Sequence, residues 1–330
     1  MGKRLLRRPA LALQLDFSIR LGLALVLTLG ASLVQARAPQ VLVTIKPLQL
    51  IATAIAGDQL VINRLLEPAA SPHQYQLKPS EARKLIEADA IIWVGPQLET
   101  FLGQVIRNNR SKPTLALTQR PRIEKLLIAS DASEAHNHAA HAPHEHEHDH
   151  DHDHGHDHDE IDAHIWLSPK LALATAREMA SLFSELMPEQ RQLFQQRLQQ
   201  FESALAKTDA ANQKLLQPLK SNGFLVTHDG YGHFVRHYGL NQTGALTLNP
   251  ERQPGARHIA ELRQMLLAKK TQCVLVEPQF RPRYLPVLTE GLPVRTQEVD
   301  PMGGDIPVNG QGYLLFLEGL AANFARCLTN

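Results

Sequence analysis

Short apolar stretches alternate with amphipathic stretches along most of the chain. "VLVTI" at residues 41–45 and "AIIWVG" at residues 90–95 are apolar, and Gly-Pro closes the second. "PSEARKLIEAD" lies between them and has helical spacing. Apolar strands that alternate with helices are typical of a parallel sheet with helices on both faces. The pattern therefore predicts an α/β unit in the first half of the chain.

The same alternation returns in the second half, in "FLVTHDG", "ALTLNP", "CVLVEPQF" and "VRTQEVDP". We predict two doubly wound lobes with parallel sheets, at residues 40–187 and 218–330. A helical segment at residues 188–217 separates them and would be on the order of 45 Å long, enough for a rigid linker between lobes. Its irregular apolar stripe consists of Leu193, Leu198, Phe201, Leu205 and Leu215.

The first 36 residues have the pattern of a secretory signal peptide. Basic residues precede "LGLALVLTLGASLV" at residues 21–34, and small residues surround Ala36. The apolar run is shorter than the roughly 20 residues that span a bilayer, so a membrane anchor is the less favoured alternative. We expect a soluble periplasmic protein. The formal net charge of +1 gives no indication of a nucleic-acid partner.

The chain contains two cysteines, Cys273 and Cys327. Neither lies near the signal segment, so we expect no lipid attachment at an N-terminal cysteine. An exported protein reaches an oxidising compartment, which favours a disulfide over two buried thiols. Closing a loop of this span stabilises a fold by about 4 kcal/mol in the chain-entropy model.

Residues 129–159 interrupt the alternation with a run of histidine and acidic residues. The run has no apolar period, which predicts a disordered loop. "HEHEH" fits the H-E-x-x-H pattern of zinc proteases, but alternating composition alone produces this match, and the motif needs a structured helix. We expect the loop to collect or sense zinc weakly; the alternative is a solvated loop without a role. Its alternating histidines are His144, His146, His148, His150, His152, His154, His156 and His158.

Three other histidines occupy loop or strand-end positions: His73, His164 and His228. In open α/β sheets, ligands bind beyond the carboxyl ends of the strands, so residues from both lobes would converge on one cleft. Glu277 and Asp300 also stand at the ends of predicted strands. Three imidazoles and one oxygen ligand suit zinc.

The motifs "PHQYQLKPS", "DAHIWLSP", "THDGYGHF", "EPQF" and "VDPMGG" resemble, in order and spacing, the metal-binding receptors of ABC importers, most closely the zinc receptors of the ZnuA type. The resemblance covers about residues 41–327. It implies two α/β lobes joined by one long helix, a bound zinc ion between them, and a membrane permease as partner. It also implies His73, His164 and His228 as ligands, and a disulfide between the two cysteines. We expect a monomer that is not an enzyme.

Two departures affect this interpretation. Pro72 stands where many zinc members have an acidic residue, which leaves Asp300 or water as the fourth ligand. His228 stands where manganese-binding relatives usually have glutamate, which favours zinc. A manganese or iron receptor of the same fold, or a secreted zinc hydrolase with an open coordination position, remains an alternative.

Three further residues near these motifs have provisional interpretations. Glu277 is read as structural or as orienting a ligand imidazole. His233 and His237 could share a helix face, and we expect both to be partly exposed helix residues rather than a second metal site.

Overall fold

The structure is a computed structural model that describes residues 37–108, 111–129, 161–247, 255–268 and 271–329. The signal peptide predicted at residues 1–36 and nearly all of the loop predicted at 129–159 lie outside the described residues. All eight alternating histidines of that loop also lie outside the described residues.

The first lobe contains a parallel sheet with the strand order β2-β1-β3-β4. The central strands are buried because helices cover them. The strands are β1 (Gln40–Val43), β2 (Val61–Arg64), β3 (Ala90–Trp93) and β4 (Thr114–Ala116).

The second lobe repeats this arrangement, in the order β6-β5-β7-β8, again with parallel pairs. Its strands are β5 (Gly223–His228), β6 (Asn241–Thr247), β7 (Cys273–Val276) and β8 (Arg295–Glu298). The predicted fold class, two α/β lobes with parallel sheets, is therefore confirmed. In each lobe the strand order reverses beside the first strand, which is where such sheets open a crevice.

Helices connect the strands and join the lobes. They are α1 (Lys46–Ala56), α2 (Pro79–Glu87), α3 (Gly103–Asn108), α4 (Pro121–Glu124), α5 (Pro169–Leu186), α6 (Arg191–Leu216), α7 (Gly232–Tyr238), α8 (Ala256–Leu267), α9 (Leu285–Thr289) and α10 (Gly312–Leu328). Ser168 caps α5, because its hydroxyl accepts a hydrogen bond from the Leu171 N–H at 3.4 Å.

The long helix is α6, extended by one 3-10 turn at each end. It packs against α1 and α5 of the first lobe and α10 of the second, as a linking element should. The predicted stripe was partly wrong, because Leu215 is 43% exposed. The buried stripe instead consists of Phe194, Leu198, Phe201, Leu205, Thr208, Asn212 and Leu216, whose three- and four-residue steps follow the helical period.

The two lobes share one continuous apolar core. Buried side chains connect Leu42 and Ile91 of the first sheet to Phe224 and Phe324 of the second lobe. Cys273 on β7 and Cys327 on α10 form a disulfide with Cα atoms 5.6 Å apart, which ties the second sheet to the last helix. Among the described residues, no helix is long and apolar enough to cross a membrane.

Candidate metal site

Three imidazoles meet where loops from both lobes converge. His73 lies in the loop after β2, His164 directly precedes a 3-10 turn, and His228 ends β5. The Nε2 atoms of His73 and His164 are 3.2 Å apart, and one ligand nitrogen of each residue lies within 4.8 Å of the others. Tetrahedral zinc with Zn–N bonds of about 2.0–2.1 Å separates its nitrogen ligands by about 3.3 Å. The cluster is therefore near the size that one zinc ion requires.

A buried carboxylate sets the orientation of His164. Asp162 Oδ1 lies 2.8 Å from His164 Nδ1 and also accepts a hydrogen bond from the His164 backbone N–H at 2.9 Å. A carboxylate accepts at this position, so the proton is on Nδ1 and the Nε2 lone pair faces His73. This is the carboxylate–histidine arrangement that commonly supports zinc ligands.

A second buried carboxylate, that of Glu277, lies beside His228. His228 Nδ1 and Glu277 Oε1 are 3.4 Å apart, and both side chains are buried. His228 Nε2 is buried and, among the described residues, has no hydrogen-bond partner. A buried polar nitrogen without a partner is costly, and a metal ion would satisfy it. A role for Glu277 in orienting this imidazole stays a prediction.

The electrostatic environment differs among these groups. Burial lowers the pKa of His73 to about 2, and the neighbouring imidazoles of His164 and His228 add to this effect. Burial also acts to lower the pKa of His228, but the carboxylates of Glu277, Asp229 and Asp162 together outweigh it, so that pKa is raised. Burial alone would raise the pKa of Asp162, but its hydrogen bond to His164 holds that pKa below its ordinary value. Because metals bind neutral imidazole, His73 is already in its binding form at neutral pH.

The cavity at the cluster is small. Its volume is about 110 Å³, and Trp166, Phe280 and Met302 provide apolar walls. Pockets for organic ligands usually measure about 300–1,000 Å³. The cavity therefore suits an ion with few waters better than an organic solute.

Gly230 allows two of the imidazoles to approach each other. A Cβ atom at this residue would lie 2.7 Å from His228 Cε1 and 3.0 Å from His164 Nε2. Both distances are shorter than van der Waals contact, so any larger residue would displace one ring. Gly230, the first of the two glycines in "THDGYGHF", therefore has a steric role at the site.

The structure does not bring Asp300 into the cluster, although we expected it as a fourth ligand. Asp300 Oδ1 accepts hydrogen bonds from Gln279 Nε2 at 2.7 Å and from the Met302 N–H at 2.9 Å, and Oδ2 accepts one from the Gly304 N–H. These bonds hold the carboxylate against Gln279 and the loop after β8. Metal ligation by Asp300 stays a prediction that this geometry does not favour.

Comparison with known proteins identifies the family. The family described as "ZnuA: Zinc-uptake complex component A periplasmic" matches residues 41–327. The chain is 37% identical to the "High-affinity zinc uptake system protein ZnuA" of Yersinia pestis, over 87% of this chain and 91% of that protein. It is 38% identical to the protein of that name from Haemophilus ducreyi, over 88% and 93%. The chain belongs to the ZnuA family.

A solved structure supports the same fold. A ZnuA crystal structure superposes with a TM-score of 0.72 at 22% identity, covering 88% of this chain and 100% of that chain. At this identity the likeness concerns the fold, namely two lobes with parallel sheets. The ZnuA family membership itself rests on the matches described above.

Two residues of this ZnuA-family site were not recognised from the sequence. Asp162 lies three residues after the acidic run, so composition concealed it, although its position two residues before His164 was a usable signal. His233 was expected to be partly exposed, and this was wrong: it is 5% exposed. His237 is part-buried and contacts Asp209 at 2.7 Å instead of a metal cluster.

Proposed function

We propose that this chain captures Zn²⁺ in the periplasm and delivers it to the membrane permease of an ABC importer. The observation that carries this proposal is the convergence of His73, His164 and His228, whose ligand nitrogens lie within 4.8 Å of one another. Family membership and the zinc-uptake relatives support it. The fourth coordination position belongs to Asp300 or to water, and the donors that hold the Asp300 carboxylate favour water.

Zinc is the favoured metal over manganese and iron. The three grouped ligands are neutral imidazoles, which suit zinc, whereas manganese prefers harder oxygen ligands. Competition titration should therefore rank zinc above manganese. A lower dissociation constant for manganese than for zinc would support the alternative, a manganese receptor of the same fold.

The chain functions as a receptor and not as a zinc hydrolase. The Glu277 carboxylate lies beside His228 Nδ1, on the opposite side of the ring from Nε2. It is therefore poorly placed to activate a water on an ion held at Nε2. Peptide and ester hydrolysis by the zinc-loaded protein should not exceed that of a His164→Ala variant.

The remaining expectations extend the proposal. The protein is a monomer without a lipid anchor, and its lobes are residues 40–187 and 218–330 with a linker at 188–217. The histidine-rich loop collects zinc at low affinity. Deleting residues 129–159 should leave about one tight zinc site per chain, and loss of that site would contradict the assignment.

Calorimetric zinc titration tests the central proposal. We expect one tight equivalent for the parent protein and its loss in His164→Ala. His258→Ala is the matched control, because His258 is a part-exposed residue of α8 whose Nε2 contacts the Ala245 carbonyl at 3.2 Å. Retention of the tight equivalent in His164→Ala would overturn the site.

A further inference from the structure

The first turn of α7 holds the segment that carries His164. His233 Nε2 donates a hydrogen bond to the Asp162 carbonyl oxygen at 2.8 Å, and the His233 backbone N–H donates to Asp162 Oδ2 at 3.3 Å. Both residues are buried, at 5% and 8% exposure. One residue of the second lobe therefore contacts both the backbone and the carboxylate of Asp162.

The two oxygens of the Asp162 carboxylate have different partners. Oδ1 accepts from the Nδ1 and backbone N–H groups of His164, whereas Oδ2 faces the start of α7. A Cβ atom at Gly232 would lie 2.8 Å from Oδ2, so glycine permits this approach. Rotation of the carboxylate is therefore restrained from both sides.

Two ligands of the cluster are connected through this contact. His228 ends β5, and α7 begins four residues later at Gly232. The hydrogen bonds between His233 and Asp162 thus join the start of α7, just after His228, to the residues just before His164. The side chains of His233 and Asp162 lie in a close-packed interior, so a displacement of His228 or His164 shifts the other ligand through their contact.

We propose that His233 is a positioning residue for the metal site, which fixes the orientation of His164 relative to His228 by holding Asp162. This inference rests on the proposed function, since it assumes that these histidines bind zinc. His233 itself does not touch the ion. Partners that orient a ligand in this way typically change metal affinity by about 10–100-fold when they are removed.

Two amide substitutions separate positioning from a general packing role. His233→Gln places its amide nitrogen the same number of bonds from Cα as His233 Nε2, so it can still donate to the Asp162 carbonyl. His233→Asn is one bond shorter and cannot reach it. His237→Asn is the control on the same helix, because His237 contacts Asp209 and not Asp162.

The experiment measures zinc affinity by chelator competition, the melting temperature of the metal-free protein, and the visible spectrum of the Co²⁺-loaded protein. We expect His233→Asn to bind zinc about 10–100-fold more weakly with an altered Co²⁺ spectrum. The zinc affinity and Co²⁺ spectrum of His233→Gln should stay near those of the parent, and His237→Asn should change neither the affinity nor the spectrum.

Equal zinc affinities and Co²⁺ spectra for the Gln and Asn variants would overturn the inference, as would a lower melting temperature with unchanged affinity and spectrum. If the parent protein binds no tight zinc, or His164→Ala binds it equally well, the proposed function fails as well. The two failures are thus distinguishable in one set of titrations.

Discussion

Glu99 offers a test of how burial controls ionisation in the first lobe. It lies after β3, is 0% exposed, and its Oε2 accepts a hydrogen bond from the Gly95 N–H at 3.2 Å. Burial raises the pKa of Glu99 from its ordinary value of 4.5 to about 7, although backbone N–H groups of Gly95 and Val94 oppose the shift. The folded protein therefore holds this proton more tightly than the unfolded chain does.

A raised pKa makes the contribution to stability favourable in acid. Below pH 4.5 the carboxyl is protonated in both the folded and the unfolded state, and the stability that it contributes is fully present. As pH rises from 4.5 through about 7, the unfolded chain ionises more readily than the folded protein, and this stability is lost. The gap between the two pKa values corresponds to about 3 kcal/mol. Glu99→Gln cannot ionise, so it should remove this pH-dependent loss.

Urea unfolding of the metal-free protein between pH 4.5 and 8 measures the effect. The free energy of unfolding of Glu99→Gln minus that of the parent should rise by about 3 kcal/mol across this range. Subtracting the parent cancels the titration of the histidines. Glu87→Gln, in the same lobe, is the control for removing an exposed carboxyl. A flat difference for Glu99→Gln would refute the reasoning.

Three further substitutions have defined outcomes. Asp162→Asn should weaken zinc binding about 10–100-fold, because the amide no longer favours the Nδ1–H tautomer of His164; an affinity within twofold of the parent in competition titration would contradict this. Gly230→Ala should weaken zinc binding roughly tenfold, because overpacking costs about 1–3 kcal/mol; calorimetry showing an unchanged constant would refute the steric argument. Replacing both Cys273 and Cys327 by alanine should lower the free energy of unfolding by about 4 kcal/mol, since the disulfide spans 54 residues, and a loss below about 1 kcal/mol in urea would oppose that estimate.

Much of the architecture could be predicted from the alternation of apolar runs and helices. "AIIWVG" is continuously apolar and forms the buried strand β3, because a central parallel strand has no face toward water. Ser168 and Pro169 begin α5 as cap and first-turn residues do. The helix α6 was located well, but its stripe was misplaced at Leu215, since the facing helices that choose the buried side come from distant parts of the chain.

The candidate site was predictable in part. His73, His164 and His228 stood out at loop or strand-end positions, the resemblance to zinc receptors implied them as ligands, and the structure brings them together. The expected fourth ligand, Asp300, also follows a strand, but donors from Gln279 and from its own loop turn its carboxylate elsewhere. Sequence position alone does not specify which donors a carboxylate finds.

The sequence by itself determined the two parallel sheets and the histidines available for a metal site, since these follow from local periodicity and side-chain chemistry. Only the tertiary structure decided that Asp162 orients His164, that Glu277 lies beside His228, and that His233 is buried against Asp162. The last two contacts join residues far apart in the chain, and even the local Asp162 contact depends on burial. The His233 contact forms only when the lobes pack together, and the Glu277 contact only when β5 pairs with β7, so no local pattern encodes either of them.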